Sequence, residues 1–188
     1  MKIAEQDILN QFTADKDLMT ILTMIRSLQL KDSWLAAGSV RNFIWNYLSN
    51  QLGFDKETDV DVIFFDPAIS YEETLKIETK LKENHPNYNW ELKNQVYMHI
   101  HNPNTEPYRD SRDAMSKYPE RCTAIGLRLL DNDQLELFAP YGLDAILEFR
   151  IASTPHFLED ADRRQLYNMR MQKKDWQKKW NNLQIEFL

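Results

Sequence analysis

Residues 36–66 read AAGSVRNFIWNYLSNQLGFDKETDVDVIFFD. Trp34 to Ala37 is a short apolar run that stops at Gly38-Ser39, and Val40, Phe43, Ile44, Tyr47 and Leu48 then recur at helical spacing. Gly53 breaks that pattern. In TDVDVIFFD, Val60, Val62 and Phe64 alternate with Asp59, Asp61 and Ile63 until Asp66-Pro67 closes the run, which predicts a strand whose polar face lies at its start. The order is strand, tight turn, helix, strand.

Two carboxylates at i and i+2 on a strand project from one face, so Asp59 and Asp61 stand side by side. That suits a hard divalent cation, Mg²⁺ or Mn²⁺, commonly held by one or two carboxylates together with substrate phosphates. Gly38 permits close backbone approach, Ser39 supplies a hydroxyl, and the helix starting there aims free N–H groups at an anion. Either half alone is common, since acidic pairs decorate many surface strands and Gly-Ser is a good helix entry. In this order they read as a phosphate-holding turn facing a metal-binding pair.

Outward from this stretch, Ile8, Leu9, Phe12, Leu18, Ile21, Leu22, Ile25 and Leu28 recur at three and four, predicting two helices between Ile3 and Leu30 with a cap at Thr13 or Asp15. Residues 70–83 read as a helix and Tyr88–Lys93 as a strand. Asn94 caps a short helix over QVYMHIHN, or that segment continues as a strand. Cys122–Leu130 and Gln134–Phe138 flank Asp131-Asn132-Asp133 as a hairpin, and Leu143–Phe149 is a short helix. From Phe157 a long charged helix packs as an arm on the body.

The 188 residues fit a single domain, with N-terminal helices over 1–33, a core over 34–150 and a C-terminal helical extension over 151–188. Lys and Arg total 23 against 29 Asp and Glu, and the net charge of −6 argues against bulk capture of nucleic acid or an anionic membrane. The single cysteine, Cys122, forms no internal disulfide and reads as a small buried residue, consistent with a reducing cytoplasmic compartment. MKIAEQDILNQF lacks the succession of a signal peptide, and no apolar run suits a membrane span.

The turn and acidic pair resemble the nucleotidyltransferase superfamily that includes DNA polymerase β. GSVRN with TDVDVIFFD is similar to the Gly-Gly-x-Val-Arg-Asp and Asp-x-Asp elements of CCA-adding enzymes and bacterial poly(A) polymerases. AGSVRNFIW, TDVDVIFFD, WELKNQVYMH, PYRDSRDAM and APYGL together, over roughly residues 34–180, resemble a family of bacterial nucleotidyltransferase-like proteins. The resemblance implies an α+β fold, a polymerase-β-like mixed sheet flanked by helices, and transfer of a nucleoside monophosphate from an NTP such as ATP with release of pyrophosphate.

It also implies roles. Gly38 and Ser39 match the turn that holds the triphosphate, and Asp59 and Asp61 match the metal pair. A third acidic residue between hydrophobic neighbours is expected on an adjacent strand; Glu91 in Trp90-Glu91-Leu92 is favoured, with Glu136 in Leu135-Glu136-Leu137 the alternative. Arg41 reaches a phosphate or a site carboxylate, or forms an ordinary ion pair. Asn42 stands where the CCA-adding pattern has Asp, so that residue's role does not transfer. The resemblance places Asn94 and His99 in the substrate pocket and has Tyr108, Arg109, Arg112 and Asp113 gripping an acceptor or the base.

Two constellations have plainer alternatives. His99 and His101 share a face only on a strand, and they lack a third ligand at metal-site spacing. Arg163, Arg164, Arg170, Lys173, Lys174, Lys178 and Lys179 interleave with Trp176 and Trp180 as an RNA-tracking stripe would. Asp160, Asp162 and Asp175 favour instead a solvated face opposite a Trp-anchored one. The acceptor expected on these grounds is a small molecule or a protein, with RNA disfavoured. A nucleotide-binding or protein-interaction module without catalysis is the competing reading.

Overall fold

In the computed structural model, which describes residues 5–188, the chain opens with helices α1 (Glu5–Ala14) and α2 (Lys16–Ser27). The part of the expected helices on residues 1–4 lies outside the described residues. Asp15 separates the two, its carboxylate accepting the Leu18 N–H at 2.9 Å, so the cap falls where the spacing predicts it. Strand β1 (Trp34–Ala36) runs into α3 (Gly38–Leu48), and β2 (Asp59–Phe64), α4 (Tyr71–Asn84) and β3 (Asn89–Asn94) follow. Ser70 and Glu73 start α4 with a reciprocal capping box.

Between β3 and α5 (Ser111–Ser116) lies a 3₁₀ helix, Gln95–His101, whose N-cap is Asn94. The short-helix alternative for this segment is therefore the correct one, and strand alternation is excluded. Strands β4 (Gly126–Leu129) and β5 (Leu135–Phe138) form the expected hairpin. Residues 122–125 stay out of it because the N–H groups of Thr123 and Ala124 turn back to the Glu120 carbonyl, each at 3.0 Å.

The sheet order is β3-β2-β1-β4-β5, with β2 and β3 parallel and the other pairs antiparallel, giving a mixed sheet flanked by helices. Strand alternation divides its faces. Leu35, Val60, Val62, Phe64, Trp90, Leu92 and Leu127 face the main core, against Phe12, Ile21, Phe43, Ile44 and Leu81 from α1 to α4. The other face carries Asp59, Asp61, Glu91 and Lys93 at one end. Further along that face, Trp34, Ala36 and Ile63 pack on Met115 of α5. One face thus supplies stability, and the other is left for chemistry.

Beyond α6 (Asp144–Leu147) and β6 (Arg150–Ile151), the tail differs from one long helix. It comprises α7 (Pro155–Leu158), α8 (Ala161–Lys173), α9 (Trp176–Lys179) and β7 (Gln184–Ile185). Asp160 breaks the run by accepting the N–H groups of Asp162 and Arg163, both at 3.0 Å. Strand β7 pairs in parallel with β6 through Arg150↔Gln184 and Ile151↔Ile185. Phe157, Tyr167, Met171, Trp180 and Leu183 join the main core, so the tail is folded onto the body. No helix among the described residues is long and apolar enough to cross a membrane.

Candidate functional site

The turn between β1 and α3 is set by Ala37, whose φ of 52° lies in the left-handed region although it is not glycine. Its N–H is held by the Ile125 carbonyl at 2.9 Å. No side chain caps α3, so the N–H groups of its first turn have no partner within the helix. A Cβ at Gly38 would stand 3.4 Å from Asp61 Oδ2 and 3.5 Å from Arg41 Nη2, ordinary contact distances that a small side chain could meet. The glycine and the second aspartate face each other across a gap.

Ser39 differs from its expected use. The residue is buried, and its hydroxyl donates to the Asp59 carbonyl at 2.8 Å and accepts the Asp61 N–H at 2.9 Å. With both capacities engaged, Ser39 braces α3 against β2 and offers no free hydroxyl to a phosphate. It positions the acidic pair.

Glu91 lies directly beside Asp61 in the β2–β3 register, on the same face. Its Oε2 accepts the Lys93 ammonium at 2.5 Å. Glu136 sits on the far edge strand, held by Arg128 at 2.6 Å and by Arg112. Sheet order therefore separates the two candidates for the third carboxylate, and only Glu91 neighbours the pair. Arg112 lies over Trp34 and Phe138, which takes it away from the acidic pair.

Burial, with help from the charges of Glu91 and Asp59 and against that of Lys93, pushes the Asp61 carboxyl up to about 6. A carboxyl raised in this way contributes stability that is complete below its ordinary value of 3.8 and is lost as pH rises through about 6. Asp61→Asn is therefore expected to stabilise the metal-free protein at pH 7 by ~1–2 kcal/mol. Urea denaturation of both proteins should show this gain narrowing as pH falls toward 4. A gain independent of pH would mean that the carboxyl is fully solvated.

As donors for a divalent cation, Asp59 and Asp61 fit: both are hard oxygen ligands on one face, and Asp61 is held in a setting that a positive charge would relieve. Among the described residues, no three His, Cys, Asp or Glu side chains already stand grouped as a metal site. Glu91 has its Oε2 engaged by Lys93, which leaves its Oε1 to join them.

A cleft of about 670 Å³ opens over this end of the sheet, bounded by Gly38, Asp59 and Asp61 on one side and by the α8–α9 segment on the other. Arg41 forms part of its wall. Its guanidinium is 4.2 Å from the Trp176 ring centroid and 4.9 Å from that of Trp45, and it bonds Thr123 Oγ1 at 2.8 Å and Asn42 Oδ1. Burial lowers its pKa, with Cys122, Glu120 and Asp61 opposing. Arg41 thus forms no ordinary ion pair: it is clasped by tryptophans and neutral oxygens, on the cleft wall near Asp61.

The basic residues of the tail divide among three settings. Arg163 is buried and bonds the Asn104 carbonyl at 2.9 Å, a purely internal duty. Arg170 pairs with the buried Glu120 at 3.0 Å, and Lys179 with Asp55 at 2.5 Å, both at the cleft wall. Lys174 also lines the cleft, 5.3 Å from the Trp176 centroid, and has no carboxylate at ion-pair distance among the described residues. Burial and then Arg170 lower its pKa. Arg164, Lys173, Lys174, Lys178 and Lys179 are exposed, as the solvated-face reading expects, while Trp180 is buried opposite them.

Of Asn94, His99, Tyr108 and Asp113, expected around the substrate, only Tyr108 lines a cleft beside the acidic pair. Asn94 is only 1% exposed; its amide donates to the carbonyls of Asp66 and Ile69 at 2.8 and 3.0 Å, so it fixes the loop after β2 and lines no cleft. His99 packs edge-on against Tyr108 and also lines no cleft; three residues per turn keep it off the face of His101. Asp113 accepts the Arg109 N–H and the Lys117 ammonium, at 3.0 and 3.1 Å, and locks its own loop. Tyr108 does line a second cleft, of about 490 Å³.

Comparison with known proteins agrees with this fold. Residues 23–185 match a family described as Nucleotidyltransferase. A solved structure described as "The NMR structure of the protein reveals a CCA-adding enzyme head domain" is 62% identical, covers 98% of this chain and 97% of its own, and has a TM-score of 0.94. Another, "tRNA-processing enzyme (apo form 2)", shares the fold at 13% identity over 88% of this chain and 44% of that one, with a TM-score of 0.50. No curated protein matches the sequence.

Proposed function

The chain belongs to the nucleotidyltransferase family, and from that premise we propose that it transfers a nucleoside monophosphate from an NTP to an acceptor with release of pyrophosphate, Asp59 and Asp61 holding Mg²⁺. The observation that carries this reading is the facing of Gly38 and Asp61 across one end of a cleft whose opposite wall bears Lys174, which has no ion-pair partner among the described residues. Uncapped N–H groups at the start of α3 receive phosphate oxygens, and Lys174 gains in the polyphosphate the counter-charge it lacks. Trp176, backed by the Arg41 guanidinium, lines the cleft beside them. A bound divalent ion would neutralise phosphate charge and the leaving pyrophosphate.

The acceptor oxygen attacks the α-phosphorus opposite the departing pyrophosphate; the new P–O bond forms as the old one breaks, and a site carboxylate takes the acceptor's proton. The chain's contribution is to hold the reactants in line and to stabilise charge. The decisive experiment is incubation with each labelled NTP and Mg²⁺, which is expected to yield pyrophosphate and labelled acceptor.

Glu91 and Glu136 give the reading a sharper check. Glu91→Ala is expected to lower turnover by roughly 10- to 100-fold through loss of a neighbour of Asp61, while Glu136→Ala leaves turnover within about twofold. Steady-state rates under saturating Mg²⁺ separate them, and the reverse ranking would move the site across the sheet. The Glu91–Lys93 pair favours one other reading, a module that binds nucleotide without turnover. It predicts saturable NTP binding with no pyrophosphate.

A further inference from the structure

The second cleft is not a separate feature. It shares Ala37, Asp61, Glu91, Lys93, Thr123 and Arg170 with the first, so the two meet at the acidic residues and diverge on either side of them. A transfer reaction needs this arrangement, because nucleophile and leaving group must approach the same phosphorus from opposite sides.

The lobes differ in chemistry. The first carries Lys174 and the open end of α3, suited to a polyphosphate. Away from the junction, the second is walled by Ile63, Met98, Tyr108, Tyr118 and Pro119. Its Lys and Arg residues are Lys93 and Arg170, both at the junction and both already paired, with Glu91 and Glu120, and His101 also lines it. A nucleic-acid strand needs a track of available cations, and this lobe has none to give. Its volume of about 490 Å³ falls within the range of small-molecule sites. Neutral polar anchors are present: Gln95, His101 and Asn102 line the lobe, the Tyr108 hydroxyl accepts from Asn102 at 2.9 Å, and the Tyr118 hydroxyl reaches Gln95 only at 3.5 Å, leaving its proton available to a ligand.

We propose that the second cleft is the acceptor site and that the acceptor is a small, uncharged molecule with an aromatic or apolar body and a hydroxyl group. The inference rests on the nucleotidyl-transfer reading and extends it to the substrate class. The body of the acceptor lies among Met98, Tyr108 and Tyr118, and its hydroxyl points to the junction at Asp61. Its oxygen becomes bonded to the α-phosphorus, pyrophosphate leaves into the first cleft, and the hydroxyl proton passes to a carboxylate, so no further reactant is required.

The test is an amide NMR titration of the ¹⁵N-labelled chain with two probes, benzyl alcohol and a nonhydrolysable ATP analogue with Mg²⁺. Benzyl alcohol should shift the signals of Met98, Tyr108 and Tyr118, and the analogue those of Gly38 and Lys174, with neither displacing the other. Met98→Trp, which fills the lobe, should weaken benzyl alcohol by at least about tenfold and leave the analogue within about twofold. Displacement of benzyl alcohol by the analogue would make the lobe a base pocket and overturn the proposal. So would silence from benzyl alcohol, or salt-sensitive binding of a short oligoribonucleotide at the same three residues. Silence from the analogue at Gly38 and Lys174 is a different failure: it removes the nucleotide reading and the acceptor role with it.

Discussion

Asp61→Asn is expected to reduce nucleotidyl transfer by at least about 10³-fold, because it removes the charge that faces the glycine turn while preserving the side chain's shape. The fold should survive. It is the backbone N–H of residue 61, not its carboxylate, that binds Ser39, and the asparagine side chain occupies the same volume. The same substitution is expected to stabilise the metal-free protein at neutral pH, so activity and stability should move in opposite directions. Pyrophosphate release and urea midpoints measured on one preparation give both numbers. Retained activity at a tenth of wild type or more would remove Asp61 from the reaction.

Trp45→Ala is expected to cost about 3–5 kcal/mol of folding stability, the range for truncating a large buried aromatic. Trp45 is fully buried, donates its indole N–H to the Ile146 carbonyl at 3.0 Å, and lies 5.0, 6.1 and 6.2 Å, centroid to centroid, from Trp180, Trp176 and Phe149. Its loss opens a cavity, orphans a buried carbonyl and releases one side of the Arg41 guanidinium. For a chain of this size the melting temperature should fall by about 10 °C. Trp45→Phe, which keeps much of the ring packing but loses the donor, should cost about 1–2 kcal/mol. Equal losses in the two variants would show that the hydrogen bond, not the packing, carries the effect.

What could be read from the chain alone follows from how local each signal is. The caps at Asp15 and Ser70, the strand Asp59–Phe64 and the helix after Gly38 all depend on neighbours within a few residues, where period and side-chain chemistry act directly. Glu91 was separable from Glu136 only weakly by pattern, because both sit in Leu- or Trp-flanked strands; strand order in the sheet distinguishes them. Ser39 and Asn94 look like ligand contacts in a string of letters. Their side chains are consumed by β2 and by the loop after it, at separations that no local pattern encodes.

Lys174 is the clearest case. Its placement over the acidic pair requires α8 to end at Lys173, α9 to bring its tryptophans onto Trp45, and β7 to reach β6. Each is a tertiary event. Helical periodicity assigned this lysine to solvent, and it is exposed; what no local pattern encodes is the cleft that it borders.

The parallel pairing of β6 with β7 also bears on how the molecule is made. Residues 184 and 185 leave the ribosome after every residue of the sheet, so a nascent chain can complete its five-stranded platform while the segment carrying Lys174 still lacks its anchor. The acidic pair and its glycine turn can thus be in place before the α8–α9 wall of the cleft is secured.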